Sequence, residues 1–500
     1  MKNKTPIILV NSLNIDRGGV TKSVLTYANL LIKSHKKVII GTFLYQRNHK
    51  EINQTLYNEG YLNKRVKILN MFEDLKPYKS QKSITHKIKE KGLVHVKDMK
   101  QKTPSFRYFK NGLYMHYKRF NEDEKLSFID YMNNARQRTM REEYNSHGLI
   151  SRRRHMILNK NRPRLDQYFD DKGNCFLTIW LNSNTLKEIR FFSFIDDPKE
   201  IESLNKLRSM WLNKVIKNID NPIFIIDKRN IDNLMEDIHH PNLKTIAVLH
   251  NNYYEKPYMN GSEIKPSFQF LFNNSILFNK IVCLTECQKK DIARDFKIND
   301  KVEVIPHAVE SIDNQEILES NNINPHTAVS IARYAKQKRL DEAIKAFKIV
   351  VDKFPDARYH IYGNGKQEKA LQNLINKLEL QDNIKLKGYI QDPYSRLKEA
   401  SCSILTSDFE GFGRVVSESL SVGTPVVSYD INYGPPDIIR NNIDGYIVEK
   451  GNREQLAEKV INIFESEQLR NKLSKRALEV RKRFSYEKFE KKWQDLIKGI

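Results

Sequence analysis

The chain has 500 residues, four cysteines and a formal net charge of +24. That length allows roughly two to four domains of about 150 residues each and a core that needs no staples. Four scattered thiols with no C-x-x-C pair exclude a disulfide framework, no apolar run reaches the roughly 18 residues of a spanning helix, and the charge attracts polyanions (nucleic acid, an anionic membrane face or an acidic polymer) without choosing among them.

Pro6–Val10 is a short apolar run that reads as a buried first strand. It is too short for a signal sequence, so a cytoplasmic protein is expected, in peripheral contact at most with the inner membrane face. A Gly18-Gly19 turn follows. A helix then carries Val20, Val24, Leu25, Ala28, Leu31 and Ile32, and Lys37–Phe43 is the next strand. From about 76 to 205 the character changes. Lys79–Lys102 is strongly basic, and aromatic-rich two-sided segments follow at Phe106–Phe109, Leu113–Tyr117, Cys175–Leu181 and Ile189–Phe194, with a hairpin turn at Asp171–Asn174. This region reads as a β-rich insertion. The α/β pattern returns with strands at Ile223–Ile226, Thr245–His250 and Lys280–Leu284. Cys283 and Cys287, four apart, could share a helix face, as buried small residues rather than half of a metal site. A second α/β series runs through Ala328–Ala332, Arg358–Tyr362, Ile384–Lys387, Cys402–Thr406 and Pro425–Tyr429. Its helix is marked by Leu340, Ala343, Ile344, Phe347, Val351 and Phe354, and the alternation argues parallel sheets. The tail from Glu454 is helical and ends with Phe484, Tyr486, Phe489 and Trp493.

Four features carry chemistry. Ser407–Glu418 places Glu410 in a Gly-rich strand-to-helix loop and Glu418 eight residues on, inside the helix. Backbone N–H groups of Gly411, Phe412 and Gly413 then stand at the positive end of that helix, suited to a diphosphate or to sugar hydroxyls. Glu418 can accept from the two hydroxyls of a ribose. Arg333 follows a buried strand and Lys338 opens the next helix, so two cations converge on a leaving diphosphate. Gly18 and Gly19 permit close backbone approach to a ligand. His250 ends a strand, where ligands of open α/β sheets sit. Gly363-Asn364-Gly365 is only half of a dinucleotide fingerprint. The chain has no D-x-D, so no metal is expected to hold the diphosphate and the protein's own cations replace it. Within 151–166, Arg152, Arg153, Arg154, Lys160, Arg162 and Arg164 stand against Asp166 alone, a basic stripe for an anionic acceptor.

Arg333…Lys338, the E-x7-E pair Glu410…Glu418, Gly18-Gly19 and His250 together resemble retaining glycosyltransferases of family four. The insertion, with Val10–Leu25, Phe194-Ile195-Asp196, Leu284-Thr285-Glu286 and Tyr433-Gly434-Pro435, is similar to wall teichoic acid α-glycosyltransferases; a sister group glycosylates serine-rich adhesins. The resemblance implies an α/β protein of GT-B fold, with two Rossmann-like domains facing a cleft and a β-rich insertion in the N-terminal one. Residues 1–75 and 206–315 would form the N-terminal acceptor domain, 76–205 the insertion for acceptor binding and oligomerisation, 316–482 the nucleotide-sugar domain, and 483–500 a helix crossing back. Arg333 and Lys338 would bind the diphosphate, Glu418 the ribose, and Lys387 and Tyr389 the base. Glu410 and His250 would touch the donor sugar, and Gly19 would line the phosphate cleft. The implied reaction moves glucose or N-acetylglucosamine from a UDP-sugar to poly(glycerol or ribitol phosphate) with retention and without cofactor. A homo-oligomer, by preference a trimer, is expected, and nucleic acid is not an expected partner. Pro306-His307-Ala308 departs from the Pro-Asn-Gly common in the family.

Overall fold

Strands buried on both faces require helices above and below the sheet, and the chain supplies them by alternation. The computed structural model describes residues 4–15, 19–80, 82–309 and 323–500. Gly18 lies outside them. The chain divides into two compact units, Met1–Thr245 and Ile246–Ile500.

In the first unit, Lys4–Val10 pairs in parallel with Asn221–Ile226 on one side and with Val38–Thr42 on the other, and Val66–Asn70 lies beyond. Ile7–Val10 and Ile223–Ile226 are buried throughout, which is why each reads as an unbroken apolar run. The helix Gly19–Ser34 follows the first strand, so Gly19 is its first residue.

The expected insertion is a ten-stranded antiparallel sheet whose strands follow in chain order from Val94–Lys97 to Lys199–Ile201. Its β structure begins at Val94, whereas residues 76–93 form no helix or strand among the described residues. That stretch is lysine-rich and lacks the alternation a half-buried strand needs. The hairpin at Asp171–Asn174 is present, with Gly173 at φ 87°.

The strand Lys244–Val248 runs into the second unit, where Ile246–Val248 pair in parallel with Lys280–Cys283, and that strand with Val302–Val304. Cys283 closes its strand and Thr285 caps the helix Glu286–Phe296, its Oγ1 accepting from Gln288 N–H at 3.1 Å. Cys283 and Cys287 therefore share no helix face, because a cap separates strand from helix. Six parallel strands follow, ordered Ile384–Gly388, Arg358–Tyr362, Asn324–Ile331, Ala400–Leu405, Val426–Tyr429 and Gly445–Val448. Counted along the chain this is 3-2-1-4-5-6, the doubly wound order, and the direction of winding reverses between Asn324–Ile331 and Ala400–Leu405. Helix Leu340–Lys353 packs Leu340, Ala343, Ile344 and Phe347 into the core, as its spacing predicts, whereas in the last turn Val350 is buried and the expected Val351 and Phe354 are only partly so. Among the described residues no helix is long and apolar enough to cross a membrane.

Candidate active site

Ligands of an open α/β sheet bind beyond the carboxyl ends of its strands, at the point where the winding reverses. In the six-stranded sheet those ends lead into the turn 332–339 and the loop 406–413, and both carry the residues singled out in the sequence. The two segments are laced together. Asp408 N–H donates to Gln337 O at 2.8 Å, Gln337 Nε2 donates to Phe409 O at 2.9 Å, and Thr406 Oγ1 donates to Arg339 O at 2.9 Å. Lys338 Nζ donates to Glu410 Oε1 at 2.5 Å, and Arg333 reaches Gln337 Oε1 at 3.4 Å. Arg333 is exposed, while Lys338 is half-buried against Glu410. Lys338 was expected to open the following helix. Instead it ends the 3-10 turn Lys336–Lys338, Arg339 takes a left-handed φ of 44°, and Leu340 begins the helix. With this turn the ammonium rests on Glu410, in the loop after the adjacent strand Ala400–Leu405.

Gly413 adopts φ 80° and starts the helix Arg414–Ser421, a conformation that favours glycine. The N–H groups of Gly411, Phe412 and Gly413 donate to no protein group among the described residues. They are the unmet donors of a helix start, the arrangement that accepts phosphate or hydroxyl oxygen. Glu418 is the fifth residue of that helix, half-buried, with Arg414 Nε at 3.6 Å. Of the four residues expected to make catalytic contacts, Lys338 and Glu410 meet directly, Arg333 is joined to the same segments only through Gln337, and His250 reaches the loop by its carbonyl oxygen beside Gly411. Lys387 and the 68% exposed Tyr389 stand at the carboxyl end of the edge strand Ile384–Gly388, separated from Asn324–Ile331 by Arg358–Tyr362.

His250 lies two residues beyond its strand, which ends at Val248. Its carbonyl oxygen would sit 2.0 Å from a Cβ at Gly411, so only glycine permits this approach. Its ring stacks on His307 with centroids 5.7 Å apart and planes within 6°. His307 stands edge-on to Phe412 at 5.5 Å. Burial holds its pKa well below the usual 6.5, and Arg414 and His250 lower it further, so the imidazole is neutral. Below pH about 6.5 the unfolded chain protonates this histidine and the folded one resists, so stability is lost as pH falls. His307→Asn should show a shallower decline in melting temperature between pH 7 and pH 5.5 than the parent; equal slopes would contradict the assignment.

Several partners were not legible in the sequence. Asn432 and Tyr433 pair with the backbone of Glu410, through Glu410 N–H to Asn432 O at 3.2 Å and Tyr433 N–H to Glu410 O at 2.9 Å. Tyr433 is anchored in turn by its hydroxyl on Asp291 Oδ2 at 2.7 Å. Gly363-Asn364-Gly365 serves packing: a Cβ at Gly363 would come 1.9 Å from Ala332 O, and Tyr334 N–H donates to Asn364 O at 2.8 Å. This loop holds the turn that carries Arg333.

Half of the expected basic stripe is paired with carboxylates. Arg152 and Arg154 lie on one face of strand Ile150–Ile157 and Arg153 on the other, because successive strand residues alternate. Arg152 makes a bidentate pair with Glu143, Arg153 pairs with Glu142, and Arg154 makes a bidentate pair with Asp166. The cross-strand carboxylates of neighbouring strands neutralise the trio, which a count over a single segment misses. Lys160, Arg162 and Arg164 are exposed and meet no carboxylate among the described residues.

The family model described as "Glycosyl transferases group 1" matches residues 313–480, which span both laced segments. An uncharacterized glycosyltransferase of Methanocaldococcus jannaschii is 30% identical over 327 residues, 58% of this chain and 75% of that protein. The chain belongs to the group 1 glycosyltransferases. Two further relatives of this glycosyltransferase align over nearly the whole chain. The poly(ribitol-phosphate) alpha-N-acetylglucosaminyltransferase of Staphylococcus aureus is 27% identical over 99% of both chains. The poly(glycerol-phosphate) alpha-glucosyltransferase of Bacillus subtilis is 26% identical over 95% of this chain and 72% of its own. The crystal structure of TarM superposes with a TM-score of 0.86 at 25% identity, covering 98% of each chain. The fold is GT-B, with Rossmann-like α/β domains and a β-rich insertion.

Proposed function

We propose that this glycosyltransferase moves glucose or N-acetylglucosamine from a UDP-sugar to a hydroxyl of poly(glycerol or ribitol phosphate), with retention at the anomeric carbon. The observation that carries this reading is the Lys338–Glu410 pair at the carboxyl ends of two central strands, with Arg333 on the same turn as Lys338 and the unmet N–H groups of Gly411–Gly413 on the same loop as Glu410. Arg333 and Lys338 neutralise the charge that grows on the diphosphate as the sugar C1–oxygen bond breaks. Glu410 and His250 hold the sugar, Glu418 the ribose, and Lys387 and Tyr389 the base. The acceptor oxygen bonds to C1 on the face the diphosphate leaves, and its proton passes to the departing phosphate. The protein thus supplies orientation and electrostatics rather than a nucleophile. No metal takes part in this scheme: the chain has no D-x-D to hold one, and Arg333 and Lys338 supply the positive charge instead. The reaction is cytoplasmic in this reading. Adhesin glycosylation is the alternative; relatives that align over nearly the whole chain and are named for polyol-phosphate acceptors favour the polymer.

The insertion holds the polymer and joins subunits into a homo-oligomer. Supporting the second role, Val94 and Val96 on the terminal strand of its sheet are 69% and 51% exposed, an edge open to another copy. For the first, Lys160, Arg162 and Arg164 offer the uncompensated charge. Replacing those three with Ser should raise the apparent KM for polymer several-fold and flatten its salt dependence, leaving UDP release without acceptor unchanged. Unaltered polymer kinetics would remove this stretch from the acceptor track.

The reaction itself is tested with a panel of UDP-sugars, with and without each polymer, in excess EDTA. Polymer-stimulated release of UDP from one donor is expected. Loss of activity rescued only by added metal would contradict the scheme.

A further inference from the structure

Glu410 is held by one carboxylate oxygen. Oε1 accepts from Ser407 Oγ at 2.7 Å and from Lys338 Nζ, while Oε2 has no protein donor among the described residues. Ser407 is 0% exposed and lies just past the strand Ala400–Leu405, three residues before the glutamate it serves. The two donors differ in kind. Lys338 is a cation on a flexible stem, and an arriving diphosphate competes for it with Glu410. The serine hydroxyl sits on a short side chain fixed in a closed environment and has no other ligand to serve.

We propose that Ser407 is a positioning residue for the transfer reaction. Its hydroxyl keeps Glu410 Oε1 in place while Lys338 exchanges the carboxylate for the donor diphosphate, which leaves Oε2 to the transferred sugar. The inference rests on the assignment of Glu410 to the donor sugar. It gives the shared carboxylate oxygen a purpose: Lys338 and Ser407 both hold Glu410 Oε1, and Ser407 preserves the geometry when the lysine turns to the diphosphate. A hydrogen bond to a charged group in a buried site is strong enough to hold such an arrangement.

The test is steady-state turnover of the preferred UDP-sugar with polymer, together with calorimetric affinity for UDP alone, for Ser407→Ala, Ser407→Cys, Glu410→Ala and the double variant Ser407→Ala/Glu410→Ala. Ser407→Ala is expected to lower kcat about 10-fold, the effect of losing one such bond, with UDP affinity within about twofold of the parent. Ser407→Cys, a weaker donor of similar size, should fall between. On the Glu410→Ala background the serine substitution should cost nothing further, because its effect passes through that carboxylate. A parent-like kcat in Ser407→Ala, while Glu410→Ala is impaired, would overturn the inference. So would a full additional loss in the double variant, or an equal loss of UDP affinity, since both are the marks of a purely structural hydroxyl. A parent-like Glu410→Ala would instead overturn the assignment of Glu410 itself. Should Ser407→Ala fail to fold, Ser407→Cys decides alone: reduced kcat with retained UDP affinity supports the inference, and parent-like kcat contradicts it.

Discussion

Lys338→Ala and Arg333→Ala each lower turnover by roughly 10² or more, the loss expected for one charge contact made mainly in the transition state. At about 1.4 kcal/mol per factor of ten, that is about 2.7 kcal/mol of barrier. Lys338 carries the stronger expectation. Its ammonium already lies within the site, on Glu410, and needs only a short swing to meet a phosphate. Arg333 is exposed and held loosely at 3.4 Å by Gln337, so its loss leaves the fold untouched. Parent-like rates in either variant, with unchanged circular dichroism, would remove that residue from the diphosphate site.

The two glutamates should separate kinetically. Glu410→Ala mainly reduces kcat, by about 10² or more, because its carboxylate pairs with Lys338, which in the proposed reaction stabilises departure of the diphosphate. Glu418→Ala mainly weakens donor binding, because it lies inside the helix Arg414–Ser421, paired with Arg414 and away from the bond that breaks. Titration of UDP against both variants checks the split. Unchanged UDP affinity in Glu418→Ala would remove the ribose role.

The elements that decide the fold announce themselves locally. Ile7–Val10, Ile223–Ile226 and Val426–Tyr429 are buried on both faces, so each reads as an apolar run whatever surrounds it. The helical stripe from Leu340 to Val350 is equally local. In the site, residues carried by the E-x7-E spacing and by the Arg333–Lys338 turn were legible for the same reason. What escaped depends on pairing across distance. Tyr433 meets Glu410 and Asp291 through a loop far along the chain. His307 is placed by its stack on His250 and its edge contact with Phe412, neither of which any spacing reveals. Charge misled most in the insertion. Counted along 151–166 the arginines stand almost unopposed, yet antiparallel pairing sets Glu142 and Glu143 directly across from Arg153 and Arg152. A one-dimensional count sees one strand's charge, whereas a sheet sums neighbours.

In the proposed reaction the sugar leaves a diphosphate held by Arg333 and Lys338 while the acceptor attacks from the same face. Proton NMR of the glycosylated polymer, made from the donor that supports polymer-stimulated UDP release, reads the anomeric coupling of the product directly. An α-linkage from the α-configured UDP-sugar is the predicted result. A β-linkage would contradict the account, since it requires attack from the opposite face and a base that these residues do not provide.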